Sequence, residues 1–435
     1  MKRRRQQFTN LIRLFVEFAF SSGAGQALGM LSGFIYVRVM SVNEYGIYGL
    51  CLTTLTFVNL TSDFGLTGST TYFWRLSRQS EISFSPYLNE IKKLRKWLFG
   101  LSALVASAIL YQVGEQRRMD WAVLTPTLIA VLVTAFAMID FSIRQQVLRL
   151  AGAYRISYAA EFSGQITRLF FALAMLAGAA TSAMFGIVGG MTAAVITALI
   201  AARFEIGIES RLPKGEGTVN PRSQVLRYVI PVAPSVALFA LQDSAIMWMA
   251  AAKGGPQVIA EVFALGRISA IIALIASFIV AVVVPRVSGI SDDARFNRVS
   301  WMVRCGLAIS GILLVSFATL FPNQILWLIG KNYGDLHSEL ILVVATGSIA
   351  LFYTGSALLN RARGWVRFDP LAAIIQGVVM IILALQWSFD SAWQVLLLIL
   401  IGSCFYAASS IIVGLAGLMN PPLMALKMQN NDAGN

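Results

Sequence analysis

Three polar side chains in the stretch "EFSGQITRLFF", Glu161, Gln165 and Arg168, are spaced at four and then three residues, so a helix carries all of them on one face. Arg168 falls about twelve residues into an otherwise apolar run, close to mid-depth if that run crosses a bilayer. A charge facing lipid there costs on the order of 2.5–3.5 kcal/mol, so the face must meet protein or water. Two chemistries are open: an internal Glu161–Arg168 pair that fixes packing, and an arginine presented to an anion in a cavity.

Other ionisable and hydroxylic residues raise the same question. Thr53, Thr56, Asn59, Asp63, Thr67 and Thr70 follow one another at steps of three and four. A two-turn stripe of this kind is interhelical glue, whereas a longer one suits a helix that lines a hydrated cavity. Asp243, with Gln242, follows Pro231 and Pro234, which free backbone carbonyls and bend a helix. Arg267 lies deep enough in its own run to need a partner, and Asp243 is a candidate. Arg38 ends the first run, where a cation either snorkels to the interface or meets a ligand. The candidate anion contacts are therefore Arg168, Arg267 and Arg38. The candidate polar lining is Thr53, Thr56, Asn59 and Gln165, and the carboxylates able to carry a coupling proton or sodium ion are Asp63, Glu161 and Asp243. Asp140 and Arg144, one turn apart, read as a surface pair.

The elements that must position these residues follow from composition. Of 435 residues 57% are hydrophobic and 13% charged, with a mean hydropathy of +0.71, which is the composition of a membrane protein. Runs such as "IIALIASFIVAVVV" do not alternate in polarity, so helices are expected and a β-barrel is not. Candidate spans cover residues 15–39, 46–72, 97–114, 121–143, 156–177, 181–202, 228–252, 259–284, 303–322, 338–359, 371–389 and 392–418. The basic start "MKRRRQQ" leads into a long run without a cleavage pattern, and reads as a cytoplasmic tail before a first helix.

Charge distribution sets the orientation. Apart from Arg168 and Arg267, only Arg38, Arg117, Arg118, Lys253 and Lys331 fall on the face opposite the basic N-terminus, so the positive-inside bias places both termini in the cytoplasm. The net charge of +13 is mostly this signal and does not point to nucleic acid. Amphipathic "YLNEIKKLRKWLFG" sets Lys92, Lys93, Arg95 and Lys96 just inside the membrane, as an anchor that also suits an anionic leaflet or an anionic lipid-linked substrate. No P-loop, HExxH or GxSxG motif is present. His337 stands in a short loop, and Cys51, Cys305 and Cys404 lie in apolar runs without metal-ligand spacing, so neither an enzyme centre nor a metal or cofactor is expected.

The polar interval "RFEIGIESRLPKGEGTVNPRSQ" divides the spans six and six, giving halves 1–213 and 214–420 and a cytoplasmic tail 421–435. A shift of 215 lays "EYGIYGL" over "IAEVFAL", Tyr48 over Phe263 and Arg38 over Lys253, the weak internal duplication common in transporters.

The first hairpin, "RVMSVNEYGIYGL" followed by "DFGL", resembles the polysaccharide exporters of the multidrug/oligosaccharidyl-lipid/polysaccharide superfamily, which include the O-antigen and exopolysaccharide flippases. Arg38, Glu44, Tyr45, Gly46, Tyr48, Asp63, Gly65 and Leu66 match the family pattern, and "IPVAPSVALFALQDSAIMWM" resembles its seventh helix through Pro231, Pro234 and Asp243. Glu261 departs from it where a glycine is usual. The resemblance implies an all-α integral membrane fold of about twelve helices, in two pseudo-symmetric six-helix bundles around a central cavity. It also implies flipping of polyprenyl-pyrophosphate-linked oligosaccharide across a bacterial inner membrane, alongside glycan polymerases and glycosyltransferases. A multidrug-type cation antiporter and a membrane glycan ligase are the competing expectations.

Overall fold

The computed structural model describes residues 23–80, 82–116, 121–206, 220–230, 233–278, 287, 293–362 and 369–419. The N-terminal basic start, most of the interval between the sixth and seventh spans, Pro231, the tail after Met419, and the side chains of Pro234 and Asp243 lie outside the described residues. Among the described residues the ordered backbone is helical, with no strand. In chain order the helices are α1 (Ala24–Val39), α2 (Val42–Asp63), α3 (Leu66–Ser80), α4 (Ser85–Gln116), α5 (Trp121–Leu150), α6 (Tyr154–Leu176), α7 (Ala183–Ile206), α8 (Pro221–Val229), α9 (Ala233–Lys253), α10 (Pro256–Phe278), α11 (Asp293–Leu320), α12 (Pro322–Leu326), α13 (His337–Ala362), α14 (Asp369–Gln386) and α15 (Ala392–Met419).

Each expected span contains a helix. Stretches of α4, α5, α7, α10, α11, α13 and α15 are long and apolar enough to cross a membrane by length and composition, and the chain is a multi-pass membrane protein. The helices holding Asp63 (α2) and Glu161 with Arg168 (α6) are not in that group, because their polar residues lower their mean hydropathy.

One expectation about helix continuity is corrected. The 46–72 run is not one helix: α2 ends where Phe64 takes φ 37° and Gly65 φ 82°, left-handed values that break the helix ladder. Of the two prolines expected to bend the seventh span, Pro231 lies outside the described residues, and Pro234 falls in the first turn of α9, where a missing N–H is tolerated.

The described residues form two compact units, one within Phe20–Phe263 and Ser388–Ser391, the other within Ala264–Trp387 and Ala392–Asn435. In the N-terminal unit α7 packs on α5 and α6, α1 on α6, and α2 on α4 and α9. The "EYGIYGL" residues join these helices. Ser41 caps α2 by accepting from the Glu44 N–H at 3.3 Å, and the Glu44 carboxylate accepts from the Ala183 N–H, where α7 begins, a charge placed at a helix N-terminus. Gly46 lies so close to the Pro256 carbonyl that a Cβ would overlap its oxygen, and a Cβ at Gly49 would stand 2.6 Å from the Phe263 ring. The hairpin therefore packs on the residues that the 215-residue shift lays over it. Glu261 does not disturb this contact, since its carboxylate accepts from Gln257 at 2.9 Å on an exposed side. In the C-terminal unit α13 packs on α11 and α15, and α14 on α15.

Candidate functional site

Arg168 borders a part-open cavity wholly inside the N-terminal unit. Its walls include Tyr48, Leu52 and Leu55 of α2, Thr134 of α5, and Gly186 and Gly190 of α7. Two α7 glycines one turn apart form part of the wall: a Cβ at Gly190 would stand at ordinary contact distance, 3.9 Å, from Arg168 Nη2, and one at Gly186 would crowd Met40 and Tyr48. Tyr36 fixes the height of α6 by donating its hydroxyl hydrogen to the Arg168 carbonyl at 3.2 Å, while its ring meets Tyr48 edge-on at 5.4 Å. About 20 Å³ is open to the centre of a water molecule, room for about one water or the edge of an anionic group.

The Arg168 guanidinium makes no hydrogen bond or ion pair with any described residue, and its Nε is buried. The internal Glu161–Arg168 pair is therefore not formed. Glu161 instead accepts from Gln145 Nε2 at 3.1 Å and lies 3.8 Å from Arg149 Nη2, both held on α5. Gln165 turns toward α1, where its buried Oε1 has no partner among the described residues and would meet a Cβ at Gly29. One helical face thus splits three ways.

The threonine stripe also divides. Thr53 is buried, with its hydroxyl donating to the Gly49 carbonyl at 3.2 Å, and Thr70 is buried beyond the break and bonded to Leu66 O at 3.2 Å. Thr56 is exposed and Asn59 half-buried, on the same face as the cavity-lining Leu52 and Leu55 but one turn further along. Asp63 accepts at one oxygen from both the backbone N–H (3.1 Å) and the hydroxyl of Thr67, and the same oxygen is 3.2 Å from Arg95 Nη2. "DFGL" is a helix stop and restart: the carboxylate caps α3 and ties the break to α4.

Arg95 is 4% exposed in its side chain and also donates to Ser142 Oγ at 2.6 Å and to Ile139 O at 3.2 Å on α5. Glu205 of α7 accepts from Lys92 at 2.8 Å and pairs with Arg144. Arg144 also holds Asp140 at 2.6 Å, so the expected surface pair is part of a three-helix tie.

Arg38 is exposed at the end of α1. Arg267 is half-buried in the stretch of α10 belonging to the C-terminal unit, and is not without a partner; the Asp243 side chain proposed for it lies outside the described residues. Arg304, which the sequence supplies as an orientation charge, is 3% exposed. Its Nη2 donates to Asn360 Oδ1 at 2.7 Å, Asn360 donates to Ser410 O at 2.7 Å, and its Cζ lies 5.1 Å from the Trp301 ring centre. This cluster pins α11, α13 and α15 together. Its signal in the sequence is thin, an asparagine near the end of one apolar run and an arginine near the start of another.

No family model matches the chain, and no curated protein matches it in sequence. Solved structures match it in fold. One described as lipid II flippase MurJ in an inward closed conformation superposes with a TM-score of 0.69 at 14% identity, over 94% of this chain and 88% of that one. An inward-facing multidrug resistance MATE family transporter of the MOP superfamily gives 0.61 at 13% identity, over 89% and 94%, and a MATE structure in the straight conformation gives 0.61 at 16%, over 94% and 95%. The chain therefore has the fold shared by this lipid II flippase and these MATE transporters.

Proposed function

We propose that the chain is a flippase, moving polyprenyl-pyrophosphate-linked oligosaccharide repeat units across the bacterial inner membrane by alternating access for O-antigen or exopolysaccharide synthesis. The observation that carries this reading is the Arg168 guanidinium, unpaired among the described residues and bordering a cavity at a depth where charge is expensive. A pyrophosphate oxygen supplies the charge-assisted hydrogen bonds that this group lacks. The fold shared with a structure described as a lipid II flippase supports a lipid-linked anionic substrate.

Arg267 and Arg38 are assigned as further anion contacts, and Thr56, Asn59 and Gln165 as partners for sugar hydroxyls. Thr53 fits that role less well, because its hydroxyl is buried and already bonded to its own helix. Asp63 and Glu161 are engaged with Arg95 and Arg149, which leaves Asp243 as the remaining candidate for ion coupling. The pathway reading places the termini in the cytoplasm, divides the chain at residues 213 and 214, and sets polymerase and glycosyltransferases before and after the flipping step. An organic cation is repelled by an unpaired guanidinium, so the antiporter reading ranks second.

The test is complementation of a strain lacking the gene. Arg168→Ala removes charge-assisted bonds of about 1.5–3 kcal/mol, so surface glycan falls about ten- to a hundredfold at unchanged protein level in the membrane, with partial recovery in Arg168→Lys. Unchanged glycan with alanine overturns the proposal, and resistance to organic cations with no glycan change favours the antiporter.

A further inference from the structure

The sequence offers Lys92, Lys93, Arg95 and Lys96 as one basic run, but the structure divides it by helix face. Lys92 and Arg95 turn inward to Glu205 and Asp63. Lys93 and Lys96 are exposed and make no hydrogen bond or ion pair with any described residue. Trp97, next on the same face, is 74% exposed and its indole N–H is equally without a partner among the described residues. Glu90, the acid one turn before Lys93, lies 3.9 Å from Arg222.

Beyond these donors the exposed face becomes apolar. Leu101 (62%), Leu104 (72%) and Tyr111 (47%) continue the line of Trp97 along α4. Trp97 and Tyr111 stand about 21 Å apart along the axis, and Lys93 is about 27 Å from Tyr111. An apolar stripe bounded by aromatic rings, with cations just beyond one end, is the profile of a lipid-facing helix whose lysines snorkel to headgroup level.

We infer that Lys93, Lys96 and Trp97 form a binding site for the phosphate of an anionic phospholipid in the leaflet facing the α4 N-terminus. Charge complementarity selects the occupant: two ammonium groups and one indole donor, unpaired among the described residues, share one exposed face of α4 at the end of its apolar stripe, and the nearby acid is paired elsewhere. The inference does not rest on the transported substrate, and it separates two jobs within one run, with the inward cations holding helices and the outward ones reading the membrane.

Native mass spectrometry of the purified full chain, at low ionic strength with phosphatidylglycerol or phosphatidylcholine as probe, tests the site. Each lysine contributes about 1 kcal/mol at an anionic surface, so Lys93→Gln and Lys96→Gln each weaken phosphatidylglycerol binding about fivefold and together roughly thirtyfold. Phosphatidylcholine binding stays unchanged, as does phosphatidylglycerol binding in Lys92→Gln. Both lysines are exposed, so the double variant keeps its fold. Equal phosphatidylglycerol affinity in the double variant overturns the site, as does an equal loss in Lys92→Gln. Competition by inorganic phosphate at similar concentration would replace it with a free-anion site, and recovery of an acidic cytosolic protein that protects Lys93 and Lys96 in place of lipid would also overturn it.

Discussion

Replacing Asp63 separates a structural carboxylate from an ion-coupling one. One oxygen of Asp63 receives the Thr67 N–H and hydroxyl and faces Arg95 Nη2 at 3.2 Å. Asp63→Ala removes an N-terminal cap worth about 0.5–2 kcal/mol and a charged bond worth about 1.5–3 kcal/mol. Arg95 keeps Ser142 Oγ and Ile139 O, so the larger loss of a fully orphaned buried charge is not reached. The sum is about 2–5 kcal/mol, a fall of roughly 2–5 °C in apparent Tm for a chain of this size. Asp63→Asn keeps an oxygen for Thr67 but gives up the charge, and should lose about half as much. Thermal unfolding of detergent-purified protein is the assay, run as a double-mutant cycle with Arg95→Met. In that background Asp63→Ala should cost only the cap, about 1 kcal/mol. Additivity within about 0.5 kcal/mol would refute the tie. Transport abolished in Asp63→Asn at unchanged Tm would refute the structural role itself and return Asp63 to ion coupling.

Two further perturbations probe packing. Gly46→Ala sets a Cβ against the Pro256 carbonyl oxygen, a backbone group that cannot swing away, and should destabilise by about 1–3 kcal/mol; Gly68→Ala, where a Cβ meets nothing within 4 Å, should be neutral or stabilising by up to about 1 kcal/mol, with both read from apparent Tm. In the C-terminal unit, Asn360→Leu strips Arg304 of its hydrogen-bonded oxygen and should cost about 3 kcal/mol, most of it recovered in the Arg304→Met/Asn360→Leu double variant.

The helices were legible because each span repeats one physical demand, an apolar run long enough to satisfy its own backbone in lipid. The break after Asp63 was not, because hydropathy is blind to backbone handedness; "DFG" supplies both a cap and a glycine, but Phe64 at φ 37° is an unusual residue for that conformation. The Glu161–Arg168 face shows the limit of periodicity. Spacing places side chains on one side of one helix, yet which neighbour each meets depends on α1, α5 and α7, and Arg149 reached Glu161 first. The basic run "KKLRK" reads as uniform charge in one dimension and becomes two inward and two outward cations only when the faces of α4 are assigned.

That division also distinguishes scaffold from site within the N-terminal unit. Lys92, Arg95, Arg144 and Arg149 each find a carboxylate on another element or one turn away, the arrangement expected when a cation is kept for packing, since an unpaired buried charge is costly. Arg168 departs from the pattern although Glu161 lies two turns away on its own helix, and that carboxylate is already shared by Gln145 and Arg149. A guanidinium without a partner among the described residues, beside a cavity, weakens the resting fold, and under the proposed function an anion that arrives, binds and departs is the interaction that would offset the cost. On that proposal, a permanent carboxylate at Arg168 would stabilise the unit and occupy the contact that a passing phosphate would need.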